Sequence, residues 1–344
     1  MKTLERVILV VGAAMMVGLL IKLDPAAVWA NIMQVGWGLA ILVPIHIVDH
    51  IINAQAWKLS FNPSEGARVP FWRLVWVRVA GDGVNYLTPS ATIAGEVVRP
   101  AMLGTEVPSE ARVASVVVAK FTQSLGQALF ILTGIVFIAA ARIPVADEFK
   151  GWFYAAVACL TAVFTALVLY AVLARKSKEE AAEPSHDLLP ADGARAEERK
   201  GWSLKSFKRQ MGTYFRRHPG RFAGSILLFA LGYVWGTVEA FLICHFLGLP
   251  VTVTMAYAIE VLSSAVDGAF FMVPAKIGTQ EAGKTAIFVG LGYPAATGFA
   301  FGLARHLREL IWAAFGFVLF SLHRRALDRG TAKVSRPEPE TVRA

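Results

Sequence analysis

Charged residues interrupt the apolar sequence of this chain in two stretches that share one spacing. In residues 78–99, a Pro comes seven residues after an Asp-Gly pair begins, a Glu follows seven residues later, and a basic residue follows after three more. Residues 267–284 repeat this spacing without a gap, 185 residues later, and the same offset pairs a further Lys with an Arg. We interpret the match as an internal repeat. Its paired positions are Asp82/Asp267, Gly83/Gly268, Pro89/Pro274, Glu96/Glu281, Arg99/Lys284 and Lys120/Arg305.

The charges of the repeat fit a polar path inside a membrane. A charge at the centre of a membrane helix costs about 2.5–3.5 kcal/mol, so such charges pair or line a wet cavity. Glu96 precedes Arg99 by three residues, a spacing that predicts an ion pair on one helix face, and Glu281 and Lys284 repeat it. Mutual neutralisation and a path for a headgroup both remain open, and they overlap because a path must be neutral when empty. The predicted path residues are Asp82, Asn85, Pro89, Glu96, Arg99, Lys120, Asp267, Pro274, Lys276, Glu281, Lys284 and Arg305.

The two prolines predict where the helices of the repeat are interrupted. The residue before a proline avoids the helical conformation, and proline itself fits the first turn of a new helix. Pro89 therefore separates arms at 71–88 and 89–104, and Pro274 separates arms at 252–273 and 275–291. Most of these arms are shorter than the roughly 20 residues that cross a bilayer, so we predict two re-entrant hairpins. Free N–H groups at the helix starts near the midplane suit an anion such as phosphate.

Further ionisable residues lie in the apolar stretches. Two histidines at i and i+4 with a carboxylate between them suit zinc, but the order differs from H-E-x-x-H and the second copy has apolar residues there. We therefore expect a proton relay or a hydrogen-bonded face, with no metal and no cofactor. This face carries His46, Asp49, His50 and Asn53. An isolated acid also fits a structural role, which stays open for each candidate. The candidate proton-coupling residues are Asp49, His50, Glu239, Glu260 and Glu309.

Composition places these residues in a membrane protein. The 344 residues are 56% hydrophobic and 17% charged, with a mean hydropathy of +0.53, whereas soluble domains are about 25% charged. The net charge of +9 fits Lys and Arg gathered on the cytoplasmic side better than nucleic-acid binding. We predict an all-α polytopic membrane protein with about six full spans and two re-entrant hairpins. The apolar stretches are 7–21, 37–57, 113–141, 152–174, 222–247 and 295–322.

The chain divides into two halves joined by a linker. Residues 1–174 hold an additional first helix, the first repeat at about 37–141 and a linking span at 152–174, while 222–325 hold the second repeat. The linker, 175–221, carries twelve Lys and Arg. Within it, Leu204, Phe207 and Met211 have the spacing of an interfacial amphipathic helix or a solvated linker helix. We expect a disordered tail at 326–344 and a first helix that is retained, the alternative being a cleaved signal peptide.

The distribution of positive charge orients the two copies. With the N-terminus inside, every strong basic cluster is cytoplasmic, as the positive-inside rule requires. Both termini are then cytoplasmic, and the two copies traverse the membrane in opposite directions. Inverted repeats with interrupted helices at the midplane are typical of secondary transporters. The sequence thus predicts an inverted repeat in a membrane.

Two stretches also resemble a known family: "GDGVNYLTPSATIAGEVVRPAML" and "VPAKIGTQEAGKTAIFVGLG". They are similar to the flippase-like transmembrane domain of lysylphosphatidylglycerol synthases and its stand-alone relatives, which show G-x-x-x-N-x-x-x-P before G-E-x-x-R, and later P-x-x-x-G-x-x-E before L-G. The resemblance covers about residues 5–325. The matching residues are Gly81, Asn85, Pro89, Gly95, Glu96 and Arg99, then Pro274, Gly278, Glu281, Leu291 and Gly292.

The resemblance implies translocation or handling of a membrane lipid in the bacterial cytoplasmic membrane. It implies no lipid aminoacylation, because the soluble transferase domain of some relatives is not in this sequence. A hopanoid-associated subgroup looks similar too, so a phospholipid, a polyprenyl lipid and a hopanoid all stay open as the partner. We expect a lipid flippase and not an enzyme. The alternatives are an intramembrane lipid-modifying enzyme using Asp49, His50 or the carboxylates, and a non-transporting scaffold for lipid synthesis.

Overall fold

The computed structural model of the protein describes residues 25–88, 94–143, 214–270 and 273–334, with isolated residues at 18, 21, 151, 158 and 212. Every regular element in these ranges is a helix. The predicted first helix, the 152–174 span, Pro89 and the amphipathic segment around Phe207 lie outside these continuous ranges. The elements are α1 (Pro25–Val35), the 3-10 turn η1 (Gly36–Gly38), α2 (Leu39–Ile45), α3 (Ile47–Leu59), α4 (Pro63–Gly66), α5 (Phe71–Leu87), α6 (Ala94–Met102), α7 (Ser109–Ala140), α8 (Pro219–Phe246), α9 (Val253–Ala269), the 3-10 turn η2 (Pro274–Lys276), α10 (Thr279–Gly290) and α11 (Ala295–Val334).

Among the described residues, three helical stretches are long and apolar enough to cross a membrane. They are Pro25–Leu59 with 35 residues, Ser109–Ala140 with 32 and Pro219–Phe246 with 28. Each exceeds the roughly 20 residues that a bilayer requires. The last two agree closely with the predicted spans, whereas the first begins well before residue 37. The predicted total of six spans remains a prediction.

The first of these stretches bends where its sequence requires it. Proline inside a helix removes one backbone hydrogen bond and clashes with the carbonyl four residues earlier. Pro44 lies inside α2, and the chain makes a turn at His46 before α3 begins. The break therefore falls at the first of the polar residues predicted to share one face, and it sets His46 apart from α3.

The two copies of the repeat have the same order of helices at the same offset. In the first copy, the order is α5, then the short α6 and the long α7. In the second copy, α9, η2, α10 and α11 follow in this order, about 185 residues later. Helix α11 continues to Val334, beyond the predicted end of the second repeat at 325. How the hairpins lie in the membrane, and in which direction, remains a prediction.

The helices of one copy also pack extensively against those of the other. Helix α5 lies along α11, α9 contacts α7, and α3 lies along α8. Glycine permits the closest of these approaches, because a Cβ on Gly83 would lie 2.6 Å from the carbonyl oxygen of Ala313. Gly316 likewise lies against the carbonyl of Val79. The ionisable residues of the two copies are thereby brought into one interior.

Apolar side chains fill the spaces around that interior and also cover its outside. Trp57 and Phe229 belong to one buried cluster, and Phe288 and Phe301 belong to a second. A soluble monomer rarely exposes large contiguous apolar patches. This chain exposes large apolar side chains along several helices, as a surface in contact with lipid would. Examples are Trp29, Met33, Trp37, Val136, Leu227 and Leu322.

Candidate functional site

The first copy places five charged residues in one cluster, which we call the first-copy cluster. Arg99 Nη2 lies 2.5 Å from Asp82 Oδ1, and Arg99 Nη1 donates to Glu96 Oε2 at 2.6 Å. Lys120 Nζ lies 3.4 Å from Glu96, and Arg78 Nε lies 3.7 Å from Asp82. The arginines are buried, whereas Lys120 and Asp82 keep 44% and 36% of their side chains exposed. The cluster therefore runs from the interior to an accessible edge.

The second copy forms an equivalent pair and then extends further. Lys284 Nζ lies 2.5 Å from Asp267 Oδ1, matching the distance between their counterparts in the first copy. Lys276 Nζ lies 3.7 Å from Asp267 and 3.5 Å from Glu309, and Arg308 lies 3.4 Å from the same glutamate. We call these five residues the second-copy cluster. The repeat thus preserves a carboxylate–cation pair between its two helical arms.

The two clusters meet at a pair of histidines. His50 Nδ1 lies 3.6 Å from Asp82, and His46 Nδ1 lies 2.7 Å from Glu239, which also pairs with Arg308. The two imidazole rings are 5.0 Å apart in an edge-on arrangement. His50 is 4% exposed, and within the described residues neither of its ring nitrogens has a hydrogen-bond partner. An almost continuous series of ionisable groups therefore runs from one copy to the other.

The starts of the two short helices are occupied by side chains of the protein itself. The amide of Gly95 donates to Asn85 Oδ1 at 2.6 Å, and the amide of Gly278 donates to Glu281 Oε2 at 2.9 Å. These oxygens of Asn85 and Glu281 thus accept hydrogen bonds from backbone N–H groups and do not face a solvent-filled path. The predicted phosphate site must therefore rely on other N–H groups and on the cationic side chains.

One predicted pair is wrong. Glu96 and Arg99 bind each other as expected, but Glu281 does not pair with Lys284. Glu281 instead binds His306 and caps α10, while Lys284 reaches across to Asp267 on α9. A glutamate in the first turn turns back toward the free amides there, so it leaves the helix face that Lys284 shares.

The remaining predicted residues are distributed around these clusters. Arg305 forms a two-pronged pair with Glu260, with separations of 2.5 and 2.8 Å. Arg305 and its repeat equivalent, Lys120, both pair within their own copy, but Arg305 binds Glu260 of α9 whereas Lys120 lies near Glu96 of α6. Asp49 lies beside α8, where a Cβ on Gly232 would be 3.3 Å from its Oδ1. Pro274 belongs to η2, and Pro89 lies outside the described residues.

The predicted path omitted three residues that the structure brings into it. Arg78 pairs with Asp82 and lies 5.4 Å from the ring centroid of Phe229. His306 and Arg308 hold Glu281 and Glu239, respectively. Each of the three could have been identified from the sequence, because each is an ionisable residue inside an apolar helix. Two of them lie in "ARHLREL" at 304–310.

Charge is balanced across the described part of the site. Seven carboxylates lie within ion-pair distance of Lys, Arg or His. Seven Lys and Arg accompany them: Arg78, Arg99, Lys120, Lys276, Lys284, Arg305 and Arg308. Because these paired carboxylates and cations are equal in number, we expect a charged headgroup to bind here by exchanging partners. Within the described residues, no three His, Cys, Asp or Glu are grouped as metal ligands.

A family model covers nearly the whole of this arrangement. The sequence matches the model described as the lysylphosphatidylglycerol synthase TM region over residues 7–316. The matched range includes the first copy of the repeat, the second copy up to residue 316, and every residue of the two clusters. No curated protein and no solved structure shows a match to the chain.

Proposed function

The chain belongs to the lysylphosphatidylglycerol synthase transmembrane-region family, and from this premise we propose that it is a membrane lipid flippase. Membership indicates a membrane protein with a lipid-related role. The finer proposal is that a lipid headgroup moves between leaflets through a polar path between the two hairpins, while the acyl or isoprenoid tails stay in the bilayer. We also propose the inner membrane as its location, with both termini cytoplasmic and a phospholipid, polyprenyl lipid or hopanoid as partner.

The observation that carries this proposal is the paired series of charges that links the two copies. Charges in a membrane interior are rare and mark substrate paths, proton relays or paired structural sites. A few pairs would suffice to hold helices together. Here the series extends from half-exposed Asp82 to Lys276, which keeps 29% of its side chain exposed. A headgroup therefore finds accessible charged groups on both copies and paired groups between them.

Partner exchange supplies a mechanism without leaving a bare charge. Breaking one side of a buried ion pair costs about 3–5 kcal/mol, which would stall a path that simply opened. A headgroup phosphate avoids this cost by pairing with the guanidinium of Arg99 at the same time as Asp82 separates from it. Asp82 retains Arg78 at 3.7 Å and His50 at 3.6 Å as alternative partners. The headgroup then passes to the cations of the second-copy cluster in the same manner.

Proton movement through the histidines would give this exchange a direction. A protonated His50 is a stronger partner for Asp82 than a neutral one, so proton uptake favours release of Arg99. His46 and Glu239 continue the series toward Arg308 and Glu309. We therefore propose Asp49, His50, Glu239, Glu260 and Glu309 as the proton-coupling residues.

The test is lipid movement in vesicles reconstituted with the purified full chain and a fluorescent phospholipid. Arg99→Ala and Glu96→Gln should each slow movement by roughly tenfold or more, equivalent to about 1.4 kcal/mol of lost stabilisation. Arg68→Ala and Glu110→Gln are the charge-matched controls, because both residues lie outside the clusters. Thermal unfolding of each variant shows that it is folded. Flipping at the normal rate by both cluster variants would contradict the proposal.

A further inference from the structure

A second polar site lies away from the two clusters, at the far end of α5. A cavity of about 580 Å³ opens between the start of α5, the loop that joins α6 to α7, and the later part of α11. Its volume is in the range of about 300–1,000 Å³ that holds small ligands. Arg73, which lines it, precedes Asp82 by nine residues, or roughly 13 Å along a helix. The cavity is therefore separate from the ion-pair path.

One basic residue, Arg73, and one acidic residue, Glu106, line this cavity. Arg73 Nη1 donates to Glu106 Oε1 at 2.6 Å and to the carbonyl oxygen of Leu103 at 3.3 Å. The hydrogen bond from Arg73 lowers the pKa of Glu106, so the carboxylate is charged at neutral pH. About half of the Glu106 side chain is exposed. Both hydrogen bonds described for Arg73 use Nη1, which keeps Nε and Nη2 available as donors.

The loop beside this pair has an unusual backbone conformation at Gly104. Gly104 has a φ of +88°, a left-handed conformation that residues with a Cβ rarely adopt. A Cβ there would also collide with a carboxylate oxygen of Glu106 and lie 3.0 Å from Nη1 of Arg73. The backbone conformation therefore favours glycine at this position, beside the pair formed by Arg73 and Glu106.

Much of the remaining cavity wall is apolar, as expected of a site at a membrane interface. Trp76, Met102 and Leu319 line it, and the ring of Trp76 stacks on that of Trp72 at 6.3 Å. Tryptophans gather at the headgroup level of membranes. His323 also lines the cavity, and its buried Nε2 has no hydrogen-bond partner among the described residues. Polar and apolar walls together match an amphiphile whose head stays near water.

We propose that this cavity binds an aminophospholipid, the zwitterionic class with a phosphate and a primary ammonium. The phosphate contacts Arg73 and His323, the ammonium donates to Glu106, and the start of the acyl chains packs on Trp76. A purely anionic head would face the charge of Glu106, and a quaternary ammonium has no N–H to donate to it. Resting on the proposed flippase function, this site is where the lipid is held before it reaches Arg99.

The test measures bound lipid on the purified full chain in detergent, where no leaflets exist. Equal amounts of phosphatidylethanolamine, phosphatidylglycerol and phosphatidylcholine are added, and the retained lipids are quantified by native mass spectrometry. We expect phosphatidylethanolamine to be retained roughly tenfold over each of the others, equivalent to about 1.4 kcal/mol. Glu106→Gln should abolish this preference and favour phosphatidylglycerol, and Arg73→Gln should lower retention of all three. Glu110→Gln, the matched control, should retain the wild-type preference.

Equal retention of the three lipids by the wild type would overturn the proposal, and so would a wild-type preference in Glu106→Gln. The result also separates this site from the flipping path. If the wild type flips lipid but shows no lipid preference that depends on Glu106, only the cavity proposal is contradicted. If the lipid preference depends on Glu106 but Arg99→Ala and Glu96→Gln flip lipid at the normal rate, only the proposed path is contradicted.

Discussion

Single side chains show how a charge is tolerated inside this protein. Lys284 is fully buried, and its ammonium lies 2.5 Å from Asp267. Lysine is almost never buried to this extent unless it is paired. Arg99 and Asp82 repeat the pair at the same distance, although the cation differs. Each pair is neutral as a unit, and either partner alone would leave an uncompensated charge in the interior.

Removing one partner of the second-copy pair should therefore destabilise the protein. We expect Lys284→Met to lower the free energy of unfolding by up to about 3–5 kcal/mol, because Asp267 loses its closest cation and keeps only Lys276 at 3.7 Å. Adding Asp267→Asn should restore a large part of this loss, because the weakly paired charge is removed. The measurement is thermal unfolding of the purified variants in one detergent.

Lys120→Met serves as the matched control, since Lys120 is 44% exposed and surface pairs contribute only about 0–1 kcal/mol. A loss as large in Lys120→Met, or a double variant no more stable than Lys284→Met, would show that pair burial is not the cause.

At the scale of helices, glycine sets the distance between the copies. Helix α5 approaches α11 so closely that a Cβ on Gly83 would lie 2.6 Å from the carbonyl oxygen of Ala313 and 2.8 Å from the amide of Phe317. These are backbone atoms, which cannot turn aside as a side chain can. The spacing holds Arg78 and Asp82 on α5 near the ionisable residues of α11.

Gly83→Ala should accordingly push the two helices apart. We expect a lower unfolding temperature and slower lipid movement, because both the packing and the register of the charges change. Gly220→Ala is the matched control: Gly220 is exposed in the first turn of α8, with open space around a Cβ. Alanine in a helix is favoured over glycine by about 0.8–1.0 kcal/mol, so this control should be as stable as the wild type or more stable. Equal loss of stability in both variants would contradict the role given to the close approach.

At the scale of the whole molecule, the two copies interlock across their interface. Helix α5 of the first copy packs on α11 of the second, and α9 of the second packs on α7 of the first. Such reciprocal packing brings the ionisable residues of the two copies into one interior. We propose that the copies enter the membrane from opposite sides, which would place the site between them where a headgroup can be reached from either leaflet.

Cysteine accessibility tests this orientation in a variant with Cys159→Ala and Cys244→Ala. A membrane-impermeant maleimide should label Thr279→Cys from outside intact cells, because the proposed orientation has the second hairpin open outward. It should label Thr105→Cys, in the exposed loop after α6, only in inverted vesicles. Labelling of both positions from the same side of the membrane would rule out the inverted arrangement.

Local and periodic features of this chain follow from its sequence. The apolar runs predict α7 and α8 to within a few residues, because a helix that faces lipid must be apolar along its whole length. Pro274 marks the break between α9 and α10, because the ring of proline cannot continue a helix. The pair Glu96–Arg99 is equally local, since three residues separate its members on one turn. The family likewise follows from these spacings.

Only the tertiary structure decided which charges meet across helices. Glu239 binds His46, 193 residues away, and Arg308, 69 residues away. Helical periodicity gives the face on which each residue lies but not the helix that this face meets. The same limit explains Glu281, whose side chain turned back to its own helix start and to His306. The cavity at Arg73 and Glu106 is likewise a tertiary product, because three separate segments form its walls and no spacing in the sequence brings them together.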